Sequence, residues 1–111
     1  MEFDSNKPIY LQISDSLCER ILSGELKPED RILSVRELGA ELGVNPNTVA
    51  RSYEKLTDDG IIYTKRGLGY FVSSGARERV LDAERKSFLE NDWPRLLKRA
   101  ALLGIDLKKL L

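Results

Sequence analysis

At 111 residues, 41% apolar and 32% charged, the chain is long enough for one ordinary domain, or a small domain with an appendage, and apolar enough to build a core. A single cysteine, Cys18, and no histidine exclude an intrachain disulfide and a zinc tetrad and leave no credible nucleophile–base pair; no enzyme activity, metal or cofactor is expected. No apolar run approaches a membrane span and Met1-Glu2-Phe3-Asp4 carries no signal-peptide pattern, so the expected compartment is the cytoplasm, with no membrane partner.

The net charge of zero hides segregation. Residues 1–30 hold three basic against seven acidic side chains, residues 31–75 six against five, and residues 76–111 nine against six. Specific DNA binding needs only a local positive face, because phosphate attraction decays over about 8–10 Å. The balance argues against a non-specific coating protein and is neutral toward a sequence-specific one.

In chain order, the spacing predicts a first helix over about Pro8–Ser23, with Ile9, Ile13, Leu17 and Ile21 in one apolar stripe and Gly24 ending it. Cys18 lies beside the stripe as a small core or boundary residue. Arg31-Ile32-Leu33 reads as a short strand leading into a second helix over Val35–Leu42, with Leu38 and Leu42 inward. Ser34 with Glu37 forms a capping box at its start, and Gly43 supplies the turn that follows. Asn45 then caps a third helix with Pro46 in its first turn, running to about Asp59 and closed by Gly60. Val49, Tyr53 and Leu56 share one face of this helix, which turns Asn47 and Arg51 outward. Ile61-Ile62-Tyr63-Thr64 and Tyr70-Phe71-Val72 are β-prone, with Lys65-Arg66-Gly67-Leu68-Gly69 as the turn between them. Two helices joined by a glycine turn and followed by a hairpin make a winged helix-turn-helix, a DNA-binding order of parts.

Small residues over 73–76 mark a linker. The expected division is therefore a DNA-binding domain over residues 1–75 and a helical segment over 76–111. In the latter, Asp92 and Pro94 interrupt a helical pattern, which requires a kink or two helices meeting near Asn91. Gly104 ends that stretch, and Asp106 caps a last short helix through Leu111. The fold class expected is mainly α with a small β-hairpin, a winged helix-turn-helix followed by a short helical dimerisation segment.

Pro8-Ile9-Tyr10 with Gln12-Ile13, Gly24-Glu25-Leu26-Lys27-Pro28, Ser34-Val35-Arg36-Glu37-Leu38, Asn45-Pro46-Asn47-Thr48-Val49, Gly60-Ile61-Ile62 and Arg66-Gly67-Leu68-Gly69-Tyr70-Phe71-Val72 occur in the order and spacing of one family. Over Pro8 to about Val72 the chain resembles the N-terminal domain of the GntR family of bacterial transcription regulators. The Asn-Pro-Asn-Thr-Val run and the short tail are similar to its YtrA-type subfamily. Glu29 and Leu33 depart from the glycine and proline usual at those family positions, both of which shape the backbone before the second helix.

The resemblance implies a sequence-specific regulator, a repressor that binds a palindromic double-stranded operator as a homodimer. The arginine matching Arg36 contacts DNA in the family. Asn45, Asn47 and Thr48 open the helix whose N-terminal end is expected in the major groove, where asparagine can pair with adenine and threonine can meet a thymine methyl or a phosphate. Arg51 follows one turn later, and base or phosphate contact competes there with a surface ion pair to Glu54 or Asp58. Lys65, Arg66 and Gly67 form a wing tip able to approach a narrow minor groove. Phe88, Leu89, Trp93, Leu96, Leu97 and Leu103 are the expected dimer core, since the tail carries more apolar surface than a short helix pair can bury. The competing arrangement folds the tail back onto the first helix as a longer monomeric core. Past Gly75 too little chain remains for an enclosed effector pocket, so any small-molecule effector is expected at the subunit interface. A winged helix serving only as a protein-interaction module is the alternative of a different class; it would need no such set of polar and basic side chains on one face.

Overall fold

The computed structural model describes residues 2–111 in two compact units, one ending at Val80 and the other spanning Leu81–Leu111. Three helices and a hairpin form the first: α1 (Ile9–Leu22), α2 (Val35–Leu42), α3 (Pro46–Asp58), β1 (Ile62–Lys65) and β2 (Gly69–Val72), followed by the start of α4 (Ala76–Ser87). The strands pair antiparallel, Ile62 opposite Val72 and Lys65 opposite Gly69. Arg31 makes a single antiparallel bridge to Phe71, and Ile32 donates to the Tyr70 carbonyl at 3.0 Å, so the expected short strand is reduced to one bridge beside the hairpin.

Helix faces set the core. Ile13, Leu17 and Ile21 from α1, Leu38 from α2, and Val49, Tyr53 and Leu56 from α3 are buried together with Ile62, Val72, Ala76 and Val80. Ile9, expected in the same stripe, stays 42% exposed in the first turn of α1. Ala76 and Val80 are core residues, so the packing of the first unit continues past the compositional linker at Gly75. Tyr53 is fully buried, and its hydroxyl donates to the Leu33 carbonyl at 2.6 Å. That bond meets the requirement that a buried phenol find a partner. Burial also pushes the Tyr53 phenol well above the ordinary tyrosine range, with a smaller contribution from the neighbouring Tyr70.

The turn between α2 and α3 depends on two glycines. Gly43 takes φ 68°, the left-handed cap that the sequence anticipates. Gly39 matters for space and not for backbone angle. A Cβ there would lie 2.8 Å from the Val44 carbonyl oxygen and 3.5 Å from Pro46 Cα. The Val44 N–H in turn donates to the Gly39 carbonyl at 2.8 Å. The chain leaving the turn thus runs directly against the bare face of α2.

Glu29, where the family resemblance leads one to expect glycine, adopts φ 71°, in the left-handed region that favours glycine, and is alone among the described non-glycine residues in doing so. A left-handed residue with a Cβ costs about 1–2 kcal/mol. Its N–H donates to the Val72 carbonyl at 2.8 Å, and its carboxylate accepts from the Tyr63 hydroxyl. These bonds tie the left-handed residue to the hairpin.

In the second unit, α4 runs into a π-helical segment over Phe88–Asp92, then α5 (Trp93–Leu102) and α6 (Leu107–Leu110). Pro94 lies just past the π-helical segment, within a helical run in which Asp92 and Trp93 keep helical angles, and its missing N–H leaves the backbone ladder one donor short. The interruption expected near Asn91 is thus a widened turn in which Trp93 N–H donates to the Phe88 carbonyl, and the two rings stand 6.4 Å apart. Asp106 caps α6 by accepting from Lys108 N–H at 3.0 Å. No helix among the described residues is long and apolar enough to cross a membrane.

Candidate nucleic-acid interface

The start of α2 is fixed by the capping box: Ser34 Oγ accepts from Glu37 N–H at 3.1 Å, and Glu37 Oε1 from Ser34 N–H at 2.9 Å. These bonds to Ser34 hold the Glu37 carboxyl below its ordinary value, against a smaller opposing effect of desolvation and with a minor contribution from Arg31. Arg36, in the first turn, is exposed. At the start of α3, Asn45 Oδ1 accepts from Asn47 N–H at 2.8 Å, so the asparagine acts as the N-cap and its residue remains exposed. Asn47 is exposed and Thr48 half-buried, and the positive end of the α3 dipole lies at this same end.

Arg51 is exposed one turn further on. Its guanidinium lies over the ring of Tyr10, 4.0 Å from the centroid, and no carboxylate of the described residues is within ion-pair distance. The ion pair with Glu54 or Asp58 weighed from the sequence is not formed. Lys55 instead pairs with Asp59 at 2.8 Å, a bond that raises the Lys55 pKa.

The wing tip is a turn closed by Leu68 N–H to the Lys65 carbonyl at 2.9 Å, with Gly67 at φ 78°. Arg66, Gly67 and Leu68 are exposed. Lys65 is turned from the tip onto the outer face of the hairpin. Strand alternation puts it with Tyr63 and Phe71, and its ammonium lies 4.5 Å from the Phe71 ring centroid and 4.0 Å from Glu29 Oε2. The Tyr63–Glu29 hydrogen bond raises the Tyr63 pKa. Sequence reasoning singled out Arg36, Asn45, Asn47, Thr48, Arg51, Lys65, Arg66 and Gly67; it assigned no role to Tyr10, whose contact with Arg51 joins two different helices and leaves no local periodic signal.

In the second unit Phe88, Leu89, Trp93, Leu96, Leu97 and Leu103 are all exposed, and Ala100 is buried. Trp93, Leu96, Leu97 and Ala100 fall at i, i+3, i+4 and i+7, one stripe of α5. No cluster of histidine, cysteine or acidic residues suited to a metal ion occurs among the described residues.

Three helices with a capped turn, a hairpin and polar side chains at the start of α2 and α3 define a winged helix-turn-helix of the kind found in transcription regulators. Residues 9–72 match the model of the bacterial regulatory proteins of the gntR family, more than half the chain, and the protein belongs to that family. The chain is similar to the HTH-type transcriptional repressor YtrA of Bacillus subtilis, 37% identical over 106 residues that cover 96% of this chain and 81% of the relative. A solved putative GntR-family regulator from Bacteroides thetaiotaomicron is 42% identical, covers 92% of this chain and 88% of its own, and superposes with a TM-score of 0.75. The DNA-binding domain of AraR, solved in complex with its operator ORR3, is 29% identical with a TM-score of 0.58, over 66% of this chain and 86% of that one. The family and fold are those of DNA-binding regulators and not of enzymes.

Proposed function

We propose that the protein is a cytoplasmic repressor that occupies a palindromic operator as a homodimer. The observation that carries this reading is the exposed set Arg36, Asn47 and Arg51 at the N-terminal ends of α2 and α3, with Arg66 and Gly67 at the wing tip. α3 enters the major groove by its first half, since Glu54 and Asp58 beyond it repel phosphate, and Asn45 and Thr48 meet the backbone or a base edge beside it. The wing tip takes the minor groove. Lys65, engaged with Phe71, adds positive potential near the phosphates.

Dimerisation falls to residues 76–111, with Phe88, Leu89, Trp93, Leu96, Leu97 and Leu103 as its core. Exposed apolar surface of this extent marks an interface, and two winged units related by a two-fold axis read half-sites about one helical turn, or a multiple of it, apart. Any small-molecule effector would bind where these helices meet. Likeness to the repressor YtrA and to the operator-bound AraR domain supports the sign and the partner.

The test is selection of a site from random duplexes, followed by affinity against salt. Arg36→Ala or Arg51→Ala should cost about 1–3 kcal/mol where the contact is to a base, and flatten the salt slope by about one unit where it is to phosphate. Sedimentation should give a dimer for the full chain and a monomer for residues 1–80, which keep Ala76 and Val80 in the core. A wild type that binds every duplex alike, or none, sinks the regulator reading. A monomeric full chain at micromolar concentration removes the tail from assembly.

A further inference from the structure

Among the arginines of this face, Arg51 is distinguished by being held before any DNA arrives. Its guanidinium rests 4.0 Å from the Tyr10 ring centroid, well inside the range of about 6 Å over which a cation is attracted to an aromatic face. Tyr10 is itself anchored. Its carbonyl accepts from Ser14 Oγ at 3.0 Å and from Ser52 Oγ at 2.5 Å, and both serines are buried. Ser52 follows Arg51 in α3, so its side-chain hydroxyl ties the backbone that presents the ring to the helix that carries the guanidinium.

Contact with a ring holds the Arg51 guanidinium without a carboxylate and leaves its charge in place. An ion pair would occupy the N–H donors and would have to break on binding, whereas the ring leaves the donor fork for a base edge or a phosphate. Ordering of a long side chain is then done in the free protein and not at the moment of association. We infer that Tyr10 is a positioning residue for operator recognition, one that presents the Arg51 guanidinium to DNA through its aromatic face. The inference rests on the operator-binding reading above.

A double-mutant cycle on the full-length protein tests it, with the selected operator duplex and a scrambled duplex as probes. Tyr10→Leu should weaken operator binding about 3- to 10-fold and scrambled-duplex binding less. Tyr10→Phe, which keeps the ring, should stay within about twofold of wild type, and Tyr10→Leu should add nothing in an Arg51→Ala background. Thermal melts accompany each variant; should Tyr10→Leu fold poorly, Tyr10→Met, with apolar bulk but no ring face, takes its place. The inference is overturned by a Tyr10→Leu penalty that persists undiminished without Arg51, or by a Tyr10→Phe loss as large as that of leucine. If Arg51→Ala weakens binding and Tyr10→Leu does not, positioning fails and operator binding stands. A wild type with no preference for any duplex sinks both.

Discussion

Gly39→Ala offers a sharp test of the packing, because helix propensity and tertiary contact predict opposite signs. Inside a helix, replacing glycine by alanine normally gains about 1 kcal/mol. At this position the added Cβ would lie 2.8 Å from the Val44 carbonyl oxygen, inside the 3.0 Å that real Cβ atoms respect. The obstacle is backbone, and the Val44 N–H to Gly39 carbonyl bond ties it to the same residue. Relief requires the end of α2 to move away from the start of α3, an overpacking that costs about 1–3 kcal/mol. Set against the propensity gain, the net is a loss centred on about 1 kcal/mol, or a fall in Tm of roughly 4–8 °C for a unit of this size. Ala40 next to it is exposed, and Ala40→Gly should lose about 1 kcal/mol through propensity alone. Thermal and urea unfolding followed by circular dichroism, at fixed protein concentration, measures both. A Gly39→Ala protein as stable as wild type, or more so, would refute the argument.

Buried and capping bonds give two more expectations. Tyr53→Phe removes the donor to the Leu33 carbonyl and should destabilise by about 1–2 kcal/mol in denaturant unfolding; an unchanged midpoint would show that the hydroxyl contributes nothing. Glu37, whose carboxyl is held below its ordinary value of 4.5 by its bonds to Ser34, adds stability that is present above that value and is lost as pH falls through its lowered folded-state pKa. A carboxyl titration by NMR should find the low midpoint in wild type and its return toward the ordinary value in Ser34→Ala.

The helix-turn-helix was legible because its signals are local. Ser34 and Glu37, Gly43, Asn45 and Pro46 each act within a turn of themselves, and α2 and α3 begin where those residues require. The features that stayed hidden are contacts between distant segments. Gly39 reads as an ordinary weak spot in a helix until the path of Val44 past it is known. The Tyr10–Arg51 contact depends on how α1 lies beside α3. Lys65 reads as a tip residue, but strand alternation and the Phe71 ring opposite draw it to the outer face. Glu29 reads only as a departure from a familiar pattern; its left-handed angle and its bonds to Val72 and Tyr63 appear only in the folded chain.

The widened turn at Phe88–Asp92 governs how this segment can change in length. In a regular α-helix two residues five apart point about 140° away from one another. Here the Trp93 N–H to Phe88 carbonyl bond brings both rings to one side, so Phe88 joins the line that continues through Leu96 and Leu97. A π-turn is formally an α-helix carrying one residue in excess. Deleting Glu90 would return the segment to α-helical phase, with Pro94 still unable to donate, and would swing Phe88 by about 100° relative to α5. The surplus residue is therefore a phase-setter: a chain shorter by one would carry a broken stripe.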